Sequence, residues 1–233
     1  MQCPSGFPAL ASFAQILRRG AKALLDIDES ELQVGVQSVK YGGLVSKRIF
    51  IADALDNGAG YAVEIGQRDV LEQLLSRTEQ DFQDMFNTER HRLDCTSSCP
   101  RCLRNYENRF LHWALDWRLA LDAIALALGK TIDAHGWNDR ARQLAGSFIR
   151  AYQPHSPLSL TEHEGFPVVV AGNGSAVVLG HPLLRRDSDG LNAAQLKART
   201  SLVDSGAAVR VVFSDAYLLD RVPDRVFAEL MST

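Results

Sequence analysis

Long apolar runs are missing from these 233 residues: none reaches the roughly 18–20 needed to span a membrane as a helix. Nor does a basic stretch, an apolar core and a cleavage site open the chain. Both absences point to a soluble, cytoplasmic protein. Charge of one sign is also scarce, with Lys+Arg 25 against Asp+Glu 28 and a formal net charge of -3. A surface that traps nucleic acid everywhere is thereby excluded, so any such contact must be local. Cysteine is limited to four residues, three of them within eight positions, too few and too clustered for a secreted disulfide framework. No Gly-x4-Gly-Lys-Ser/Thr loop or Asp-Glu-x-His-type magnesium site is present, so the chain is not expected to hydrolyse ATP unaided.

What is present is ordinary globular material, 46% hydrophobic and 23% charged, enough for one large or two small domains. From Pro8 to Leu25 apolar residues recur at helical spacing, with Arg18, Arg19 and Lys22 assigned to a solvated face. Strands over Leu32–Val39 and Arg48–Ala54, separated by Tyr41-Gly42-Gly43, read as a hairpin. Helical spacing returns over Gln67–Phe86 and again over Leu111–Leu128, where Trp113 and Trp117 stand one turn apart before Gly129. The prolines and polar residues of 153–157 are the best linker, giving domains 1–152 and 158–233. Beyond it, Val168–Ala171 and Ala176–Leu179 flank the turn Gly172-Asn173-Gly174. A helix over Leu191–Val203, a strand over Ala208–Phe213 and a short terminal helix complete the chain. The expected fold is mixed α/β: a zinc-knuckle domain with amphipathic helices and a β-hairpin, then a small βαβ-like unit.

The knuckle is Cys95-x3-Cys99-x2-Cys102, held irregular by Ser97, Ser98 and Pro100. Short cysteine spacings of this kind wrap a tetrahedral zinc ion, and zinc is the expected cofactor. The fourth ligand is open at this level. His112, at the start of the next helix, is preferred because it would tie that helix to the knuckle; His91 and the remote Cys3 are the alternatives. Four protein ligands would make the site structural, since catalytic zinc keeps a position open for water.

Six arginines between positions 90 and 118 face only Asp94, Glu107 and Asp116, and Tyr106, Phe110 and Trp113 are interleaved with them. Arg101, Arg104 and Arg109 are the candidate nucleic-acid contacts, with the aromatics available to stack on bases of a single strand. The loop Asp53–Tyr61, with glycines that let backbone N–H groups approach a ligand, is either a binding loop or, the favoured reading, a tight strand-to-helix turn in which Asp56 caps the following helix. His181 with Asp187, Asp189 and Asp215 forms a weaker candidate for a metal-dependent nuclease.

Three stretches carry a resemblance: Leu24–Leu32, Phe50–Tyr61 with its Asn57-Gly58-Ala59-Gly60-Tyr61, and Cys95–Asp122 with Ser98-Cys99-Pro100-Arg101-Cys102-Leu103 and Leu115-Asp116-Trp117-Arg118. Together they resemble the Mrf-type zinc-binding C-terminal domain of DEAD/DEAH-box superfamily 2 helicases, which also occurs in DISARM-type antiphage proteins. The resemblance implies a zinc-binding accessory module working with a helicase motor domain or subunit and with DNA, single-stranded or at a junction. The helicase form uses four cysteines, and its fourth falls at Asn108 here. A protein-interaction scaffold docking on a separate helicase subunit is the alternative function.

Overall fold

A computed structural model describes residues 6–42, 44–55, 58–132 and 134–232. The chain divides into two compact units, Gly6–Ile132 and Asp133–Thr233.

Helix α1 (Gly6–Leu25) runs through the first unit, and its small residues Ala9, Ala11, Ala14 and Ala21 let neighbouring elements approach closely. On one side Ala11 and Ile16 join Phe86, Leu115, Trp117, Ala120 and Ile124, in the same cluster as Cys95 and Cys102. On the other, Leu17 and Ala21 meet Leu32, Ile65, Leu74 and Leu75. Two apolar faces on one helix leave little room for a solvated stripe, so Arg18 and Arg19 depart from the expected solvation. Arg18 is buried, donating from Nε to the Glu29 carbonyl at 2.7 Å and pairing with Glu107. Arg19 donates to the carbonyls of Arg101 and Pro100 at 2.9 and 3.1 Å.

The expected hairpin forms from β1 (Leu32–Tyr41) and β2 (Leu44–Asp53), antiparallel with Leu32 opposite Asp53 and Tyr41 opposite Leu44. At its end Asp53 accepts from the backbone N–H groups of Gly60 and Ala62 at 2.9 and 2.8 Å, starting α2 (Tyr61–Ile65). Asp53 therefore does the capping expected of Asp56, which lies outside the described residues. Helix α3 (Arg68–Phe86) packs on α1 where Gly20 faces Thr78. The short α4 (Glu89–Asp94), capped by Thr88, leads into the knuckle.

The helix expected over Leu111–Leu128 begins only at Trp117. Residues 109–111 form a single 3-10 turn, and Asp116, in an extended conformation, caps α5 (Trp117–Ala127) by accepting from Arg118 N at 2.9 Å. Gly129 at φ +73° ends it, as the sequence predicts. Trp113 thus lies before the helix and is exposed rather than buried in it.

The second unit opens with α6 (His135–Tyr152), which burying Trp137, Ala141, Ala145 and Phe148 holds against its sheet. Four strands follow, β3 (Leu158–His163), β4 (Phe166–Ala171), β5 (Ser175–Gly180) and β6 (Arg210–Asp215), in the order β3-β4-β5-β6. The first three are antiparallel. β5 and β6 are parallel and joined through α7 (Ala193–Asp204), the βαβ connection the sequence indicates. Helices α8 (Ala216–Arg221) and α9 (Pro223–Met231) close the chain. Because α6 packs on β3, β4, β5 and α8, the division falls at Ile132/Asp133, not at 153–157. The proline-flanked segment is the turn between α6 and β3, inside the second unit.

Candidate metal centre

The turn after α4 is built to gather sulfur. His91 stands on the last turn of α4, and Cys95, its C-cap, follows one helical turn later. Their four-residue spacing puts both side chains on one side of the helix end. The chain then folds back so that the backbone N–H groups of Cys102 and Arg104 both donate to the Cys99 carbonyl at 3.0 Å. The Cys99 N–H in turn points at Cys102 Sγ, also at 3.0 Å.

The donor atoms of His91, Cys95, Cys99 and Cys102 all lie within 4.8 Å of one another. Cys95 Sγ and Cys102 Sγ are 3.8 Å apart, and Cys99 Sγ is 3.7 Å from His91 Nε2. With bonds of about 2.3 Å to sulfur and about 2.0 Å to nitrogen, tetrahedral zinc separates paired sulfurs by ~3.8 Å and sulfur from nitrogen by ~3.5 Å. The observed spacings match both. Cys95, Cys102 and His91 are buried and Cys99 half-buried, so the cluster sits in the first unit's apolar core.

The imidazole is oriented for the purpose. Its Nδ1 lies 3.1 Å from the Phe86 carbonyl, which can only accept, so the proton is on Nδ1 and the Nε2 lone pair faces the sulfurs. Phe86 stacks on the ring at 5.2 Å, and Trp117 meets it edge-on at 5.5 Å. The opening of α5 holds the far side of the knuckle. Trp117 N donates to the Ser97 carbonyl at 2.9 Å, Trp117 Nε1 to the Cys95 carbonyl at 3.5 Å, and Arg118 to the Thr96 carbonyl at 2.9 Å.

Without metal, Cys95 and Cys102 share a proton. The Cys95 thiol, helped by the Cys99 N–H and opposed by burial, pushes Cys102 down to about 5. Donation to Cys102 and burial drive Cys95 well above the ordinary thiol range.

His112 is not in that group. Its Nε2 sits 3.0 Å from the Asn105 carbonyl and 2.9 Å from Asn108 Oδ1, so His91 takes the fourth position expected of His112. Asn108, where the helicase form has a cysteine, is buried elsewhere, donating to Gln15 Oε1 at 2.9 Å and the Leu103 carbonyl at 2.8 Å. These bonds fold residues 103–112 into a network of their own. Cys3 lies outside the described residues. The signal for His91 is present in the sequence, as His91-x3-Cys95 at a helix end; the apparently longer α5 obscures it.

The arginines of the window are less free than their charge count implies. Arg101 pairs with Asp94 at 2.8 Å, and Arg104 Nε donates to Ser98 Oγ at 2.8 Å. Arg109 lies over the rings of Tyr106 and Phe110, 4.5 and 4.4 Å from their centroids. The nuclease candidates do not gather into a metal-ligand group among the described residues. Asp215 is buried and caps α8, accepting from Leu218 N at 2.9 Å, and burial pushes its carboxyl up. His181 is buried, its Nδ1 accepting from Leu183 N at 3.1 Å, while Asp187 pairs with Arg185.

Among the described residues, no helix is long and apolar enough to cross a membrane. No curated protein and no solved structure matches the chain. The family model of the MrfA Zn-binding domain matches residues 13–103, a span that contains all four donors of the cluster. Residues 13–103 are thus similar to the MrfA Zn-binding domain, and His91, Cys95, Cys99 and Cys102 are the residues of this chain that could hold a zinc ion.

Proposed function

We propose that the protein is a non-catalytic accessory module whose zinc-fixed knuckle presents a face to single-stranded nucleic acid, in the service of a helicase-like motor in the cytoplasm. The observation that carries this reading is the group Tyr106, Arg109 and Phe110. Both rings are exposed, at 79% and 74%, and the guanidinium lies over each. Large aromatics left in water beside a cation are what stacking on unpaired bases requires, with the cation beside the phosphates. The half-exposed Arg101 adds charge once Asp94 is displaced, and Arg104 steadies the turn through Ser98. The closed set of four donors suits a structural role, in which the bound ion fixes the loop that carries these side chains. DNA processing, in repair or in defence against phage, is the setting the reading implies.

The test is titration of labelled single-stranded DNA at several salt concentrations. Arg104→Ala with Arg109→Ala is expected to lower the slope of log K on log salt by about 0.7 for each phosphate the double variant no longer engages. Tyr106→Ala is expected to cost roughly 1–3 kcal/mol of binding. Wild-type binding and slope in these variants would overturn the reading. If the wild-type chain fails to bind DNA but a motor subunit protects Tyr106 and Phe110 from solvent, the face is a protein-docking surface instead.

A further inference from the structure

The second unit contains a cavity of about 440 Å³ beside β6, the last strand of its sheet, bordered by α7 and α9. Three arginines line it: Arg186, Arg199 and Arg210. Two acids line it as well, Asp187 and Glu229, but each already has a cation of its own outside the lining. Asp187 pairs with Arg185, which holds its carboxyl below the usual range, and Glu229 pairs with Arg225 at 3.0 Å. Arg199 and Arg210 are not compensated in that way, and Arg186 forms no ion pair among the described residues. Arg210 donates to main-chain carbonyls, those of Glu229 and Ser232, at 3.0 and 2.8 Å. Arg199 is exposed and enters none of the ion pairs among the described residues. Arg186 has its Nε buried with no hydrogen-bond partner, an arrangement that stable proteins seldom leave unfilled. Its charge is felt by the buried Asp215 behind it.

We infer that this cavity binds a phosphate-bearing ligand of about mononucleotide size. Guanidinium forks match phosphate oxygens in pairs, and three arginines lining one cavity bring several such forks to the same space. Leu191, Val211 and Phe213 give the same cavity an apolar wall on which a ring can rest. Its volume lies within the roughly 300–1,000 Å³ usual for small-ligand sites. The same chemistry can arrive as a free mononucleotide or as the phosphorylated end of a strand. The site is built wholly from the second unit and does not rest on the nucleic-acid face around the knuckle.

Calorimetric titration of the full chain with AMP, inorganic phosphate, and a short oligonucleotide with or without a 5′-phosphate tests it. AMP is expected to bind at one site, and the exposed-residue variant Arg199→Gln to weaken it about tenfold or more, with zinc content unchanged. Arg186→Gln should weaken it likewise. If instead only the 5′-phosphorylated oligonucleotide binds, and Arg199→Gln weakens it equally, the strand end is the source. Binding of inorganic phosphate alone overturns the assignment of ligand size. Absence of binding by all four probes at millimolar concentration, or affinities that neither variant alters, overturns the site.

Discussion

Replacing His91 with alanine removes one donor of four while leaving the three cysteines in place. A structural zinc is held by about 10–16 kcal/mol in small domains, so one ligand in four accounts for roughly 3–4 kcal/mol. That difference is a dissociation constant raised on the order of 10²- to 10³-fold. The ring also packs between Phe86 and Trp117, so some loss of apo-protein stability will accompany it. The comparison that isolates ligation is His112→Ala, which breaks only the bonds to Asn105 and Asn108. Zinc affinity measured by competition with a chromophoric chelator, paired with thermal unfolding of the metal-free proteins, separates the two effects. His91→Ala should lose zinc affinity far beyond its loss of apo stability, and His112→Ala should keep wild-type affinity. The reverse pattern would refute the assignment of His91 and restore His112.

Acid should release the metal. Cys95 keeps its proton in the metal-free cluster through the physiological range, while Cys102 is a thiolate above about 5. Binding must then displace at least the Cys95 proton, so affinity falls at least about tenfold for each unit the pH is lowered between 8 and 5; a pH-independent affinity over that window would contradict the shared proton. Gly20→Ala, which would favour an isolated helix, should here destabilise by roughly 1–3 kcal/mol. A Cβ at that position meets the buried Thr78 Oγ1 at 1.9 Å, and chemical denaturation will show whether α1 and α3 can part to admit it. Asn108→Ala should cost on the order of 1–3 kcal/mol by stranding buried partners, yet retain one zinc per chain by metal analysis, because Asn108 bonds to Gln15 and Leu103 rather than to the cluster.

Periodicity makes most elements legible. The alternation in residues 32–54 and the turn at Gly172-Asn173-Gly174 correspond to real hairpins, and the spacing in α1 and α3 to real helices. Where one short-range signal competes with another, the sequence misleads. The apolar run from Leu111 conceals the cap at Asp116, and that misplaced helix start makes His112 look better positioned than His91. Helix α6 carries Trp137, Ala141, Ala145 and Phe148 at regular spacing, but the two prolines of the turn after it are the louder signal and mimic a domain boundary. Arg18 shows a limit of another kind: one charged residue on an amphipathic pattern reads as solvated, and only tertiary contacts with Glu29 and Glu107 explain its burial. The three cysteines are evident from spacing alone; how their fourth partner is oriented depends on the Phe86 carbonyl, which no spacing reveals.

X-ray absorption at the zinc edge of the purified, zinc-loaded chain tests the central claim most directly. Three sulfur scatterers at about 2.3 Å and one imidazole nitrogen at about 2.0 Å are expected, with the nitrogen shell lost in His91→Ala. An all-sulfur shell, a shell dominated by oxygen, or a nitrogen that persists when His91 is gone would contradict it.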